Sequence, residues 1–513
     1  MLRREFLVDL TRLAALASTV PNDWRVLRTP HLADQPFSLG VASGDPTPNG
    51  AMLWTRIAPK PLEPLGGMDG IRATVAWEVA NDESFRSIVK QGRATAVPEL
   101  GYSVHADVTG LDPDRWYFYR FHVGQTASAV GRVRTTPAAQ VRKPLNFAFA
   151  SCQHYEQGYY TAHEHMAREE LDLVAFLGDY IYEYGPNTQA VRTHNSTEIM
   201  NLDAYRARYA QYKSDPALQA AHARCPWLMI TDDHEVDNNY ADLISENDVE
   251  PVEWMRNRRA AAYQAWWEHQ PVRTPRANSW ADLVQMRRVE WGDMARIHLL
   301  DGRQHRSNQA CGDGRQEVPC GEWGDAKRTM LGAEQEQWLT QGLAESTQHW
   351  QILANQVMLA PVDLSEGPKR TFDMDQWGGY PAASARLVAA IAKHAPNRTV
   401  TVSGDIHSNW VNELHDGFAS DEKPIVGAEF VGTSISSGGD GADRMNGLTP
   451  SLLSENPHLK WQNSRRGYVV CHVGDDAWTT EYRTVGYVTK PGAPIETPTK
   501  WRVEHGRPGI IKL

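Results

Sequence analysis

Two hydrophobic rhythms divide this chain. Between about Phe37 and Pro137, apolar and polar residues alternate in short runs such as Ala51–Arg56, Ala73–Val79 and Trp116–Val123, with turn residues between them. A period of two puts alternate side chains on one face, so these runs predict the strands of an all-β module. From Leu145 the rhythm changes. Short continuous apolar runs at Leu145–Ala150, Leu173–Leu177, Trp227–Ile230, Ala295–Leu300, Trp350–Ala354 and Thr399–Ser403 predict buried strands. Between them lie helical patterns at Tyr159–Glu170, Leu202–Tyr212, Ala217–Arg224, Trp254–His269, Gly332–Gln341 and Pro381–Ala395. Asp215-Pro216 marks one helix start, and Pro381 suits a first helical position. Strands alternating with helices predict an α/β unit with a large central sheet or two packed sheets. Gly467–Val488 alternates again and predicts closing strands.

The divisions expected are a leader over 1–30, a β-sandwich over 37–137, an α/β domain over 145–488 and a surface tail over 489–513. Leu111-Asp112-Pro113-Asp114-Arg115-Trp116-Tyr117 resembles the tyrosine-corner segment of fibronectin type III sandwiches, in which the Tyr hydroxyl bonds back to nearby backbone. The module is therefore expected to be Ig-like.

Composition changes this picture little. A formal net charge of −11 argues against broad binding of nucleic acid or anionic membranes. No apolar run reaches transmembrane length. The N-terminus adds more. Leu2-Arg3-Arg4-Glu5-Phe6-Leu7 reads as a twin-arginine export signal, followed by a short apolar stretch at Leu13–Val20 and small residues at Ala15-Leu16-Ala17. This predicts recognition by the twin-arginine machinery and a periplasmic or secreted product. Of five cysteines, Cys311 and Cys320 flank a polar loop; they are either a disulfide suited to an oxidising compartment or two free loop thiols.

The chemistry gathers where the strands end. Asp179 and Tyr182 follow the run ending at Leu177; Asp232-Asp233-His234-Glu235 follows Ile230; Asp405 and His407 follow Ser403; Cys152 follows Ala150. Ligand groups collect at the carboxyl ends of strands in α/β sheets. Four such ends carrying Asp, His, Tyr and Cys predict one metal cluster. Ionisable groups packed after a buried strand raise one another's cost, and a cation relieves it. Along an extended Asp-x-His segment, alternate side chains share a face, which would bring Asp405 and His407 to one cluster. Cys152 alone leaves three readings open: a buried hydrophobe, a metal-bound thiolate, or a nucleophile with His154 or His234 as base.

Together these segments resemble the PhoD-like alkaline phosphatases, within the calcineurin-like metallophosphoesterase superfamily. Phe37–Pro46, Leu53–Arg56, Asp301–Arg306 and Ala354–Met358 match as well, so the resemblance runs from about Phe37 to Val488. It implies a metallophosphatase domain with two packed mixed sheets flanked by helices. It also implies an exported phosphomonoesterase or phosphodiesterase in which metal-activated water attacks phosphorus directly. The metals implied are Fe3+ and Ca2+, with Zn2+ or Mn2+ as the alternative. By position, Asp179 would bridge them. Cys152, Tyr182 and His407 would complete the iron shell, and Asp233 and Asp405 would hold calcium. Thiolate, phenolate and imidazole suit iron, and carboxylates suit a hard cation. His234 would act as general acid or charge stabiliser. Arg303 would either clamp a phosphate oxygen or brace a loop by a salt bridge. Asn238, Asn239 and Asn355 are candidate phosphate or supporting contacts. Rival readings are a phosphodiesterase or phospholipase-type hydrolase, a cysteine hydrolase, and a calcium-stabilised binding protein. Export carries its own check: N-terminal sequencing of the secreted or periplasmic protein should find Met1–Arg12 removed, and an intact N-terminus on cytoplasmic protein would overturn it.

Overall fold

The computed structural model describes residues 35–418, 423–444 and 452–513. The paired arginines and the apolar stretch after them lie outside the described residues. Two large mixed sheets pack face to face. In the first, Leu145–Ala150, Leu173–Phe176 and Trp227–Met229 run parallel at the centre. Arg466–Val473 and Ala477–Val485 extend it on one side by antiparallel pairing. In the second, Ala295–Leu299, Trp350–Ala354, Thr399–Ser403 and Ile425–Val431 run parallel. Arg287–Trp291 and Asn409–His415 flank these four antiparallel.

The apolar runs explain the layering. Phe147, Phe149, Leu173 and Leu228 from the first sheet meet Ile297, Ile352, Val400 and Phe430 from the second in one fully buried core. The other face of the first sheet is covered by the helices Leu202–Lys213, Pro216–Arg224 and Val252–His269. Helices Gly332–Glu345 and Pro381–His394 cover the outer face of the second. Strands buried on both faces must read as unbroken apolar runs, as these do. Asp215 caps its helix as the sequence predicts, its Oδ1 accepting the N–H groups of Ala217 and Leu218.

Near the N-terminus, Ile88–Ala96, Ala73–Ala80, Trp116–Val123, Thr126–Ala127 and Gly131–Arg134 form a separate sheet. Its Val75, Val79, Tyr119 and Phe121 pack against Val41, Leu53 and Val104 to make the sandwich core. The tyrosine corner is present, with the Asp112 N–H donating to the Tyr117 hydroxyl at 2.9 Å.

Two features differ from the sequence reading. The second sheet of the sandwich is not its own. Val41–Thr47, Gly50–Arg56 and Ser103–Thr109 continue the first large sheet, through the parallel pairing of Gly44 with Trp227. The expected surface tail also joins this sheet. Lys500–Glu504 pairs with Ala477–Val485, and Ile511–Lys512 adds at the edge. Pro and Gly in the tail mask strands only five and two residues long.

Two predictions follow from the packing. Tyr117→Phe strips the Asp112 N–H of its acceptor and should cost about 1 kcal/mol in denaturant unfolding; an unchanged midpoint would show that the corner is ornamental. Separately, burial lowers the His298 imidazole from 6.5 to about 3, outweighing its bond to Gln351. The unfolded chain then binds more protons, so this contribution to stability is complete above pH 6.5 and is lost as pH falls toward 3. The melting temperature should drop from pH 7 to pH 5, less steeply in His298→Gln, and identical slopes in the two proteins would refute the assignment.

Candidate metal centre

Three of the four strand ends deliver their side chains through an unusual backbone. Cys152, Asp179, Asp405 and His407 all adopt left-handed conformations, with φ of 59°, 55°, 67° and 54°. Such conformations are costly for residues with a Cβ and concentrate where the surrounding structure enforces them. This corrects the extended-segment argument for Asp405 and His407. They reach one cluster because the chain coils at each, not because alternate side chains of a strand share a face. Glycines open the space: a Cβ on Gly178 would lie 2.4 Å from the Asp232 Cβ, and one on Gly404 would lie 2.4 Å from the Ser151 Oγ.

The side chains converge in two overlapping sets. Cys152, Asp179 and His407 present ligand atoms within 4.8 Å of one another, as do Asp232, Asp233 and Asp405. Asp179 with Asp233 and His234 makes a third set that joins them. The Tyr182 hydroxyl sits in the first set, 2.8 Å from Asp179 Oδ2 and 3.2 Å from His407 Nε2. The sequence had therefore identified seven groups that do come together: Cys152, Asp179, Tyr182, Asp233, His234, Asp405 and His407. The asparagines divide. The Asn239 N–H donates to Asp233 Oδ2 at 2.8 Å, but its amide turns outward to Asp313. The Asn238 amide faces Glu246, away from the cluster. Asn355 is buried with its Oδ1 unpartnered and its amide N–H on the Val357 carbonyl.

Arg303 does not reach outward toward a substrate. Its side chain is fully buried, with Nε on Asp232 at 2.5 Å, Nη1 on Asp375 at 2.8 Å and Nη2 on Asp405 at 3.2 Å. All three nitrogens are committed to carboxylates, so the bracing alternative describes it and the phosphate clamp does not. Other groups take part as well, Glu235 from the acidic run already singled out and Glu183 and Ser437 without a signal in the sequence. Glu235 accepts the N–H groups of Asp179, Tyr180 and Asp232, binding two strand ends together. Glu183 holds His234 Nδ1 at 2.8 Å. Ser437 donates to the Tyr182 hydroxyl at 2.7 Å. A chain-distant carboxylate accepting backbone N–H groups leaves no periodic trace, although Glu183 lies one residue from Tyr182 and Glu235 two residues from Asp233.

The electrostatics are unbalanced. Burial, with Asp233 and Asp232, pushes the Asp179 carboxyl well above its ordinary range, and His234 opposes this only in part. Burial likewise lifts Asp405 to about 7 against the pull of Arg303. Asp233 stays low because Arg303 and His234 outweigh its burial. For His234, burial disfavours the charged form, yet Glu183, Asp233 and Asp179 raise it well above its usual value. One oxygen on each of Asp179 and Asp233 is buried with no hydrogen-bond partner. Buried carboxylate oxygens without partners are expensive, and a cation between them removes the cost. The donor set therefore fits metal ions. A thiol dyad with the bases the sequence offers has no such support: the Cys152 Sγ contacts Ser151 Oγ and the Asp405 carbonyl, while His234 and His154 face Glu183 and the Glu156 N–H.

A two-layered sheet core with a polar cluster at its strand ends defines the metallophosphatase fold. A purple acid phosphatase from yellow lupin (Lupinus luteus) has this architecture, with a TM-score of 0.56 at 12% identity over 91% of this chain and 73% of that one. The family model for PhoD-like phosphatase matches residues 147–482, and that for its N-terminal domain matches 23–137. Alkaline phosphatase D of Bacillus subtilis (strain 168) is 46% identical over 522 aligned positions, covering all of this chain and 89% of the relative. A solved structure of PhoD superposes with a TM-score of 0.92 at 47% identity, covering 94% of this chain and 93% of that one. The chain belongs to the PhoD-like phosphatase family and is a hydrolase of phosphoric ester bonds.

Proposed function

We propose that this enzyme is an exported, metal-dependent phosphoesterase whose reaction centre is the cluster joined by Asp179. The observation that carries it is the pair of buried, unpartnered oxygens on Asp179 and Asp233 amid a donor set that divides by chemistry. Cys152, Tyr182, His407 and Asp179 would hold Fe3+, and Asp233 and Asp405 would hold Ca2+. When bound, such a pair supplies positive charge to the phosphate oxygens and to the attacking water.

The protein's own groups then have distinct tasks. Glu183 accepts from His234 Nδ1, which leaves Nε2 as the donor to the leaving-group oxygen. Burial lowers His407 to about 3, with Arg466 and His234 adding to the effect, so its imidazole is neutral and a competent ligand. Ser437 and His407 fix the Tyr182 oxygen beside Asp179. Arg303 offsets carboxylate charge from within. Asn239 steadies Asp233 through its backbone; Asn355 offers a further carbonyl oxygen. Transfer goes to water without a covalent phosphoenzyme. Phosphomonoesters and phosphodiesters both suit such a centre.

Export rests on the paired arginines of the leader and agrees with the Cys311–Cys320 disulfide, which suits an oxidising compartment. No helix among the described residues is long and apolar enough to cross a membrane.

The deciding measurement is metal content by mass spectrometry with a visible spectrum. Iron and calcium are expected together with a tyrosinate–iron band that vanishes in Tyr182→Phe. Asp179→Asn should lose both metals and at least 100-fold in kcat/KM, about 2.7 kcal/mol. His234→Gln should lose activity and keep the metals. Zinc or manganese pairs would overturn the division of ligands, and full activity in Asp179→Asn would overturn the centre.

A further inference from the structure

Four aromatic rings gather where Tyr182 enters the cluster. His154 and His234 pack on Tyr182, with ring centroids 4.2 and 4.1 Å from it. Tyr184 stands beside them, 5.3 Å from His234 at an angle of 68°, and 6.2 Å from His154 in a stacked arrangement. Three of the four rings are buried: Tyr182 is 2% exposed, His154 5% and His234 8%. Tyr184 is 38% exposed. The group meets solvent chiefly through the Tyr184 ring.

A single exposed ring is ordinary on a protein surface. Two observations set this one apart. First, its backbone is held. The Tyr184 carbonyl accepts from Arg208 Nη1 and His194 Nδ1, each at 2.9 Å, and both of those residues are buried. A platform fixed beforehand adds little ordering cost to a contact made with it. Second, it adjoins the proton donor. Glu183, the residue before it, accepts from His234 Nδ1 at 2.8 Å and leaves Nε2 for the leaving-group oxygen. An oxygen bonded to Nε2 lies about 3 Å from that nitrogen. The Tyr184 ring packs against the same imidazole, so one leaving group is close enough to touch both. Beside Asp405 the space is taken by the chain itself, with Arg303 Nη2 on Oδ1 at 3.2 Å and Gln376 Nε2 on Oδ2 at 2.5 Å.

We propose that Tyr184 is the contact for the organic part of the leaving group, and that its ring favours phosphate esters whose alcohol is flat and unsaturated, aryl or heteroaryl. This rests on the Asp179-centred cluster being the reaction centre and His234 its acid. Flat rings pair with a tyrosine ring at centroid distances of about 4.5–7 Å and gain more than their buried area alone supplies. A one-carbon alcohol has no face to offer it.

The test follows hydrolysis of phenyl and methyl esters by the full-length, metal-loaded enzyme. Each ester is supplied as the phosphate and as the singly charged methylphosphonate, which covers monoester and diester preference. The intrinsic reactivities of phenyl and methyl esters cancel when the ratio of their kcat/KM values is compared between proteins. In Tyr184→Ala the phenyl-to-methyl ratio should fall about tenfold, carried by KM for the phenyl ester. Tyr184→Leu, which keeps apolar bulk without a ring, should fall with it. Tyr184→Phe should hold the wild-type ratio. Metal content and thermal unfolding show whether each variant is intact. An unchanged ratio in intact Tyr184→Ala and Tyr184→Leu, equal losses on the two esters included, removes Tyr184 and leaves the reaction centre standing. A fall in Tyr184→Phe as large as in Tyr184→Ala also removes the ring, since the hydroxyl would then be the contact. Hydrolysis of neither pair by the wild type, or full turnover by Asp179→Asn, overturns the centre and this contact together.

Discussion

Five aspartates around one buried arginine set the terms for this structure. Asp232, Asp375 and Asp405 bond to Arg303 directly, Asp233 lies within 3.7 Å of it, and Asp179 joins the group through its neighbours. One guanidinium cannot neutralise five carboxylates, and burial magnifies the surplus. Much of the surrounding architecture manages that surplus. Arg306 adds a second cation behind Asp375, raised above its ordinary value although burial and Arg303 both oppose its charge. Glu235 is kept out of the cluster by three backbone N–H groups, with burial lifting it to about 8. His234, raised well above its usual value by Glu183, Asp233 and Asp179, adds positive charge beside the remaining carboxylates.

The same constraint explains why the strand ends are strained. To point Cys152, Asp179, Asp405 and His407 from two sheets at one volume, the chain coils sharply at each. Ordinary residues resist left-handed backbone by about 1 kcal/mol or more apiece. The packed cores on both sides of the sheets hold the strands rigidly enough to impose it.

Much of this was legible in the sequence, and the rest was hidden for identifiable reasons. Buried parallel strands read as apolar runs, and their C-terminal Asp, His, Tyr and Cys stood out because charged residues rarely follow such runs. Hence all seven ligand and acid candidates converge. Arg303 was ambiguous because the sequence shows an arginine but not what surrounds it. Asp375 and Gln376 were invisible, lying in a loop after a four-residue strand with no rhythm of its own. Glu183 carries no signal because its side-chain partner, His234, lies 51 residues away, and Glu235 stands out only as part of an acidic run, its role being to accept backbone N–H groups as far as 56 residues away. Sheet order was equally hidden: a run of alternating residues fixes which face is buried, not which neighbour it pairs with.

The pairing of Gly44 with Trp227 has a consequence for how this protein can be divided. The strand Trp227–Met229 carries Asp232–Glu235 at its end, and its outer edge is occupied by the N-terminal Val41–Thr47. Cutting the chain at the apparent seam near residue 140 would not free an independent catalytic unit. It would turn a central strand into a bare edge, with unpaired backbone groups inviting association with other chains. Asp45, at the turn of that strand, is also gripped by Arg287 of the second sheet. The sandwich is in this sense a splint that the catalytic sheet cannot set down, and the seam read from hydrophobic rhythm is a boundary of pattern, not of mechanics.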